Sequence, residues 1–339
     1  MTEAGVPPAV KGTGPPSAVL GVDSGGSGFR AALAVGTGTG AVAPSGSESA
    51  APVRTGPGGI DPDHLLEQLV PMARKLMREA GVDGIGTVTI GAAGMATLGA
   101  RLRAELPASL ARELGVRRLA LAADAVTAYA GALGRQPGAI VAAGTGMIAL
   151  GTDLKSWRRA DGWGHLLGDC GGGAWIGRAG LEAAMRAHDG RRGGSPALLA
   201  HAEKLFGSAA DLPGQLYPRT DRPAVLASFA PEVAACAADD AVAAGILRDA
   251  ARHIAEAAAA VCPKSGESEV ALTGGLFKMG EPLLAPVRTL LAQLVPQARQ
   301  VPAAGDPLHG AVRMAVDLAL DQLTLPRDER LLRVVRLDG

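Results

Sequence analysis

Glycines and an acidic residue follow an early apolar run, in a pattern that could bind phosphate. In VDSGGSG, Asp23 closes the run, and Gly25 and Gly26 leave backbone N–H groups free to face an anion. Asp23 could then hold Mg²⁺ through a water molecule. The alternative is a tight hairpin in which Asp23 is an ordinary turn residue. Neither the P-loop fingerprint nor a dinucleotide-binding loop with its following helix is present.

A second glycine turn repeats this design. The segment GAIVAAGTGMIALG (138–151) consists of an apolar run, Gly144-Thr145-Gly146 and another apolar run, which predicts a β-hairpin. The Thr145 hydroxyl and the nearby amides are candidate phosphate donors. Two such loops facing each other across a cleft can clamp a triphosphate. The repeat is therefore the main indication of the architecture.

Asp124 closes the apolar run RRLALAAD and precedes the helical pattern AVTAYAGALG. This is the carboxyl edge of a strand, where α/β folds place reactive groups. Because the transition state of phosphoryl transfer is loose, a carboxylate needs mainly to orient the attacking hydroxyl and to accept its proton late. Asp124 could equally cap the helix that follows, and the two roles are compatible.

Two further segments could contact a ligand. The stretch GWGHLLGDCGGGAWIG (162–177) combines aromatic rings, glycines and an acid, as a sugar site requires, and Trp163 and Asp169 are its candidates. The alternatives are a core position for Trp163 and a helix-terminal role for Asp169. In TGGLF (273–277), Gly274 and Gly275 could let an adenosine approach the backbone closely. The alternative is a simple strand and turn without a ligand.

The composition favours a small-molecule partner. Lysine and arginine total 33 and aspartate and glutamate also total 33, so no net charge attracts the chain to nucleic acid or to an anionic membrane. The three cysteines lack metal or disulfide spacing, which fits a reducing compartment. Residues 1–17 resemble no signal peptide, and no apolar run reaches membrane length. We expect a cytoplasmic protein with a disordered leader.

Alternating strand and helix patterns predict an α/β fold. Helices are expected at residues 63–81, 174–188, 196–205, 224–236, 240–262 and 309–323. Loops are expected at 39–59 and 189–222, which are rich in Gly, Pro, Ser and charge. We place a lobe boundary near Asp124, which gives a leader (1–17), a first lobe (18–123), a second lobe (124–325) and a C-terminal tail (326–339).

Taken in order, these motifs resemble those of the acetate and sugar kinase, Hsp70 and actin superfamily. Within it, the chain is similar to the N-acetylglucosamine kinase family related to the BadF/BadG/BcrA/BcrD ATPases, from about residue 18 to about 320. GVDSGGSGFR and VAAGTGMIALG resemble the two phosphate motifs, and VALTGGLF resembles the adenosine motif. The most specific likeness is that of GWGHLLGDCGGGAWIG to the GWGxxxGDEGSxxWI pattern of hexosamine kinases.

The resemblance implies two actin-like lobes, each with a ribonuclease-H-like fold, and a cleft between them for ATP and a sugar. It implies transfer of the γ-phosphoryl group of ATP to the 6-hydroxyl of N-acetylglucosamine or glucosamine, often by a dimer. By position, the roles that it implies are a base at Asp124, a metal region at Asp23, a phosphate-contacting hydroxyl at Ser27, a contact between phosphate and sugar at Thr145, and sugar contacts at Trp163 and Asp169.

This chain departs from the family pattern at three positions. Cys170 stands where a glutamate usually follows the pocket aspartate, Gly59 lies near a usual asparagine, and Ala93 replaces a frequent serine. A degenerate kinase that binds sugar or nucleotide as a sensor is therefore an alternative. A third hypothesis is an ATPase that activates a redox partner through an iron–sulfur cluster, but the sequence shows no suitable cysteine pair.

Overall fold

Two large β-sheets, a two-stranded sheet and the surrounding helices make up the computed structural model, which describes residues 18–26, 28–36, 46–56 and 59–337. In chain order, the strands are β1 (Ala18–Gly25), β2 (Gly28–Val35), β3 (Gly46–Ala50), β4 (Thr55–Gly56), β5 (Gly59–Ile60), β6 (Ile85–Ala92), β7 (Arg118–Ala123), β8 (Gly138–Ala143), β9 (Met147–Thr152), β10 (Trp157–Asp161), β11 (Ser268–Thr273), β12 (Ala298–Pro302) and β13 (Leu332–Arg336). The predicted leader and Ser27 lie outside the described residues.

The helices alternate with these strands, as the sequence predicts. They are α1 (Pro62–Ala80), α2 (Met95–Leu98), α3 (Ala100–Leu114), α4 (Asp124–Ala132), α5 (Gly173–His188), α6 (Pro196–Phe206), α7 (Leu212–Leu216), α8 (Arg222–Ser228), α9 (Ala230–Cys236), α10 (Ala241–Val261), α11 (Glu281–Leu294) and α12 (Pro307–Ala319). Short 3₁₀ turns cover Ala209–Asp211 and Gly275–Met279. Among the described helices, none combines the length and apolar character needed to cross a bilayer.

The first sheet has the order β13-β7-β6-β1-β2-β3. Strands β1 and β2 form the antiparallel hairpin that the first glycine turn predicts, and β1, β6 and β7 run parallel. Helices α1 and α3 bury leucines such as Leu69 and Leu106 against this sheet. Because parallel strands end at the same edge, the carboxyl ends of β1, β6 and β7 meet on one side.

The second sheet repeats this arrangement in the order β10-β9-β8-β11-β12. The predicted hairpin of β8 and β9 is confirmed, and β8, β11 and β12 are parallel. Helix α10 packs on this sheet with a second apolar core that includes Leu247 and Ile254. The repeat of hairpin plus parallel strands gives two lobes of one design.

Helices α4 and α12 cross each other where the two lobes meet. A Cβ atom on Gly310 would overlap the carbonyl oxygen of Thr127, and one on Gly131 would overlap that of Asp306. Glycine is therefore needed at this crossing, because only its missing side chain lets the two backbones approach so closely. Helix α12 also packs on β1, at Gly21.

Four expectations about the elements need correction. The loop predicted for 39–59 contains β3, a polar edge strand (GSESA) that lacks the apolar alternation of a half-buried strand. The helix predicted for 224–236 is broken into α8 and α9, and the loop predicted for 189–222 contains α7, whereas α6 confirms the helix predicted for 196–205. The predicted tail (326–339) contributes β13, which pairs with β7 in the first sheet.

Candidate functional site

Asp124 is the first residue of α4 and directly follows β7, at the carboxyl edge of the first sheet. The strand is apolar and buried, while Asp124 itself is only partly buried. Its Oδ1 accepts the N–H of the next residue, Ala125, at 2.9 Å. The N-cap position of the helix is Ala123, without a side-chain cap. Asp124 is therefore the first residue of the helix and not its N-cap, although its carboxylate accepts a first-turn N–H.

Burial raises the pKa of the Asp124 carboxyl above its ordinary value. The Ala125 N–H and the positive charge of Arg159 on β10 oppose this rise, and the negative charge of Asp23 adds to it. Asp23 and Arg159 thus lie close enough to Asp124 for their charges to act on it. A carboxylate with a raised pKa is a stronger base than one in water.

Asp23, near the end of β1, is paired with an arginine from the same hairpin. Arg30 donates Nη2 and Nε to Asp23 Oδ2 at 2.6 and 3.2 Å, and donates Nη1 to Asp306 Oδ2 at 2.7 Å. Asp306 caps α12 by accepting the N–H of His309. Burial raises the pKa of Asp23, although Arg30 opposes this effect. Sequence reasoning missed Arg30 as the partner of Asp23 and Asp306 as the second partner of Arg30.

The predicted phosphate glycines fall into two groups. Among the described residues, nothing but their own chain neighbours lies within 4 Å of the place where a Cβ would stand on Gly25, Gly26, Gly144 or Gly275, so this side of each backbone faces open space. Gly146 and Gly274 are packed instead. A Cβ on Gly146 would overlap the Asp169 carboxylate, and one on Gly274, where φ is 106°, would overlap Ala143.

The second glycine turn is fixed to the start of α5. Gly144 and Thr145 accept, through their carbonyl oxygens, the N–H groups of Gly173 and Ala174 at 2.9 and 2.8 Å. The first N–H groups of α5 are therefore occupied by the turn and are not free for an anion. The Thr145 side chain is left exposed.

Asp169 lies beside this turn, at the site of the predicted sugar segment. Its Oδ1 accepts the N–H of Gly164 at 3.1 Å, and its carboxylate lies against Gly146. Burial raises the pKa of Asp169, and the Gly164 N–H opposes the rise. Asp169 does not cap α5, whose N-cap is Gly172.

Asp161, which sequence reasoning missed, holds Asp169 in place. Its carboxylate oxygens accept the N–H groups of Asp169 and Cys170 at 2.6 and 2.9 Å. The signal for it was an acidic residue directly before the GWG motif. The Cys170 departure thus leaves the main chain of the turn held by Asp161.

Trp163 is 61% exposed, so its interpretation as a core residue is wrong. The guanidinium of Arg159 lies 4.3 Å from the centre of its ring. Arg159 is also held by two carbonyl oxygens, with Nε donating to Asp161 at 3.0 Å and Nη2 donating to Gly162 at 2.5 Å. Arg159 was not a candidate in the sequence, because a lone arginine on a strand carries no motif.

One of the two other departures from the family pattern has a local cause. Gly59 has a φ of 91°, and a side chain there would overlap the carbonyl of Leu98, so backbone packing requires glycine. Ala93 donates its N–H to Ser24 at 2.8 Å, which ties the loop after β6 to the end of β1. A serine at position 93 would make the same main-chain bond, so this contact does not explain the alanine.

The candidate residues gather at the carboxyl ends of the parallel strands. Asp23 lies near the end of β1, and Asp124 directly follows β7. Residues 144–146 follow β8, and Gly274 and Gly275 follow β11. Within the described part of the chain, no group of three or more His, Cys, Asp or Glu side chains forms a metal cluster.

This architecture, two repeated α/β lobes with glycine turns at the strand ends, is that of the actin-like ATPases. More particularly, the chain belongs to the BadF/BadG/BcrA/BcrD ATPase family, whose model matches residues 20–315. The predicted resemblance and fold class are both confirmed.

Individual relatives agree with this family. The structure assigned to an N-acetylglucosamine kinase of Chromobacterium violaceum has a TM-score of 0.70 and 29% identity, and the likeness covers 88% of this chain and 98% of that one. A ROK family glucokinase from Streptomyces griseus in complex with glucose and AMPPNP has a TM-score of 0.52 and 20% identity over 90% and 100% of the two chains, a likeness of fold alone.

A curated relative is similar over a shorter stretch. The N-acetylmuramic acid/N-acetylglucosamine kinase of Clostridium acetobutylicum is 38% identical over 82 residues, which are 24% of this chain and 27% of that protein. The aligned stretch is thus about a quarter of that relative's length.

Proposed function

We propose that the protein is an ATP-dependent hexosamine kinase that transfers the γ-phosphoryl group to the 6-hydroxyl of N-acetylglucosamine or glucosamine. The observation that carries the proposal is the position of Asp124, a partly buried carboxylate at the point where β7 ends and α4 begins. The glycine turns that face open space support a nucleotide in the same cleft.

Asp124 is the proposed base. Its carboxylate would accept a hydrogen bond from the sugar 6-hydroxyl and so orient it toward the phosphoryl group. As the O–P bond forms, the hydroxyl proton passes to a carboxylate oxygen. One contact of Oδ1 is with its own helix, so the carboxylate retains acceptor capacity for the substrate.

The exposed turns are the proposed phosphate site. Within the described residues, nothing but the neighbouring residues of the chain stands where a side chain of Gly25, Gly26 or Gly275 would lie, so phosphate oxygens would be able to approach these backbones, and the exposed Thr145 hydroxyl is a further candidate donor. Gly144 donates its own N–H to Gly146 and shapes the turn. Gly146 and Gly274 support the site by packing. A phosphate contact from Ser27 stays a prediction, since Ser27 lies outside the described residues.

Asp23 fits a magnesium ion that arrives with the nucleotide. Its Oδ2 is bound by Arg30, and its Oδ1 accepts no hydrogen bond from the described residues. Mg²⁺ usually takes one or two carboxylates and keeps waters and phosphate oxygens as its other ligands. When bound, the ion would neutralise charge on the transferred phosphoryl group. Arg30 would hold Asp23 in its orientation.

The proposed sugar site is the segment from Trp163 to Asp169. Asp169 offers carboxylate oxygens to sugar hydroxyls, and the exposed Trp163 ring offers a face for the C–H side of a sugar. N-acetylmuramic acid enters as a further acceptor, because it stands with N-acetylglucosamine in the name of the Clostridium relative.

The test is a panel of sugars incubated with Mg-ATP and followed by the mass of the sugar phosphate. We expect phosphorylation of N-acetylated hexosamines and a weaker reaction with glucosamine. Calorimetric binding of ATP and a thermal melt serve as controls for the fold. No phosphorylated amino sugar from a folded, ATP-binding protein would refute the proposal.

Sugar binding without transfer would instead support the sensor alternative. That alternative was motivated by the departures at Gly59, Ala93 and Cys170, and of these the turn at Cys170 is still held by Asp161. The homodimer and the cytoplasmic location remain predictions, and light scattering of the purified protein would test the first.

A further inference from the structure

Arg159 lies on the face of β10 that is turned toward the first lobe. Because side chains alternate along a strand, Trp157 and Arg159 share one face of β10. The partner of Arg159 on β9 is Leu150, which packs in the apolar core of the first sheet. Trp157 contacts Tyr129 of α4 edge to face, with 5.3 Å between the ring centres. This face of β10 therefore looks toward α4, the helix that begins with Asp124.

The spacing of the residues brings the Arg159 side chain to the start of α4. Along β10, Arg159 is two residues beyond Trp157, a step of about 6.6 Å. Along α4, Asp124 is five residues before Tyr129, a step of about 7.5 Å. The contact of Trp157 with Tyr129 fixes the two elements at one point, and the two steps have nearly equal length. The charge of Arg159 acts on the Asp124 carboxyl, as this placement requires.

Arg159 is also bound to residues 161–169, which we call the acceptor turn. Its Nε donates to the carbonyl of Asp161 at 3.0 Å, its Nη2 donates to that of Gly162 at 2.5 Å, and its guanidinium carbon lies 4.3 Å from the centre of the Trp163 ring. Asp161 in turn accepts the N–H of Asp169 at 2.6 Å. The planar fork of an arginine suits such a set of two carbonyl oxygens and a ring face. One side chain of β10 thus holds the acceptor turn at three points.

We infer that Arg159 is a positioning residue of the proposed kinase, whose donors fix the acceptor turn and whose charge stands beside the base Asp124. The inference rests on the proposed function, from which the roles of Asp124, Trp163 and Asp169 come. Arg159 itself is not proposed to touch the sugar or the phosphoryl group. One residue then controls two quantities, the affinity for the sugar through the turn and the ionisation of the base through its charge.

Arg159→Lys tests the donors apart from the charge. Lysine keeps the positive charge but lacks the planar fork, so it cannot bind both carbonyl oxygens and the Trp163 ring at once. We expect KM for the amino sugar to rise by about tenfold, as for a lost charge-assisted hydrogen bond, and KM for ATP to stay within about twofold. The fall of kcat in acid should stay at the wild-type pH.

Arg159→Gln removes the charge as well. Burial raises the pKa of the Asp124 carboxyl, the charge of Asp23 on β1 adds to the rise, and the charge of Arg159 opposes it. Without Arg159 the pKa of Asp124 is higher, so the base takes up its proton at a higher pH. The fall of kcat in acid should therefore begin at a higher pH than in wild type or in Arg159→Lys. Steady-state kinetics in a series of buffers measures kcat and both KM values.

Hydrogen exchange followed by mass spectrometry reports on the acceptor turn without any substrate. The N–H groups of Gly164, Asp169 and Cys170 are bound by carboxylates of the turn. Both Arg159 variants should speed exchange in the peptide that contains these groups by about tenfold and leave peptides of the first sheet unchanged. Arg158→Gln is the matched control, because Arg158 is the exposed neighbour on the opposite face of β10, and it should behave as wild type in every measurement.

An unchanged KM for the sugar and unchanged exchange in Arg159→Gln would overturn the inference. An equal rise of KM for sugar and for ATP would also overturn it, because Arg159 would then support the second lobe as a whole. A fall of kcat at the wild-type pH in Arg159→Gln would show that the charge does not reach the base, which overturns it too. In each of these cases an active wild type leaves the proposed function standing.

A wild-type protein that phosphorylates no amino sugar refutes the proposed function. The exchange experiment then decides the role of Arg159 by itself. Faster exchange of the acceptor turn in both Arg159 variants, with wild-type exchange in Arg158→Gln, upholds Arg159 as the residue that fixes the turn. Exchange at the wild-type rate in Arg159→Gln overturns that role.

Discussion

The carboxylate of Asp161 accepts the backbone N–H of Asp169 at 2.6 Å. Both residues have left-handed backbones, with φ of 59° and 54°. Such a conformation costs a residue with a side chain about 1 kcal/mol. The hydrogen bond offsets part of that cost, so the position of Asp169 depends on a residue that does not itself face the proposed sugar.

Asp161→Asn should therefore weaken sugar binding more than ATP binding. Asparagine offers one acceptor oxygen, and its amide would face the N–H of Asp169 or Cys170. We expect KM for the amino sugar to rise by about tenfold, as for a lost charge-assisted hydrogen bond, and KM for ATP to stay within about twofold. Steady-state kinetics with each substrate varied measures both.

Asp153→Asn is the control for this variant. Asp153 accepts two backbone N–H groups, from Lys155 and Ser156, in the exposed turn between β9 and β10. It should leave both KM values unchanged. Equal effects of Asp161→Asn on sugar and ATP would show that Asp161 supports the lobe as a whole and not the acceptor turn.

Asp124→Asn should remove turnover while the nucleotide still binds. Loss of a general base costs about 10²- to 10⁴-fold in kcat, and Asp124 contacts no residue of the glycine turns through a hydrogen bond in the described part of the chain. Mass-detected turnover and calorimetric ATP affinity are the two measurements. Asp83→Asn, at an exposed turn, should change neither. Retained turnover would exclude Asp124 as the base.

The same variant should be more stable than wild type at neutral pH. Burial raises the pKa of Asp124, so its charged form is disfavoured in the folded state above that pKa. Below the unfolded value of 3.8 both states are protonated, and the penalty is absent. The gain in Tm, about 2 °C or more for each kcal/mol, should appear at pH 7 and vanish in acid. A Tm of Asp124→Asn below that of wild type at pH 7 would contradict this prediction.

Local sequence was enough to predict the hairpins and the position of Asp124. Glycine turns between apolar runs are short-range patterns, and β1–β2 and β8–β9 follow them. The contacts that were missed join distant parts of the chain. Arg30 meets Asp306, and Ala123 meets Leu331, through packing that no local pattern encodes. Asp161 and Arg159 were missed because both bind main-chain groups of the turn that follows β10, and main-chain contacts leave no mark in the sequence.

Gly144 and Gly146 should respond differently to alanine. A methyl group on Gly144 would enter open space at the proposed phosphate site, so Gly144→Ala should keep its Tm and lose ATP affinity by about tenfold. Gly146→Ala would press on Asp169, at a cost of about 1–3 kcal/mol, and should lose sugar affinity. Thermal melts and calorimetry with ATP and sugar distinguish the two. The same profile in both variants would count against separate roles for these glycines.

The Asp306 side chain both caps α12 and forms an ion pair with Arg30. Two variants separate the contributions of these two contacts to stability. Asp306→Asn can still accept the His309 N–H but loses the charge, so it should cost less than about 1 kcal/mol, since the Arg30 and Asp306 side chains are 39% and 52% exposed. Asp306→Ala loses the cap as well and should cost about 1 kcal/mol more.

The pH dependence of these two variants adds a check by thermal melting. Burial alone would raise the pKa of the Asp306 carboxyl. The hydrogen bond from the His309 N–H and the charge of Arg30 outweigh burial, so the pKa lies below 3.8. The ion pair therefore stabilises the fold above pH 3.8 and is lost as the pH falls through the lowered pKa. The Tm difference between wild type and Asp306→Asn should shrink in acid. A Tm difference that persists in acid would assign the effect to packing, because protonated Asp306 carries no charge to attract Arg30.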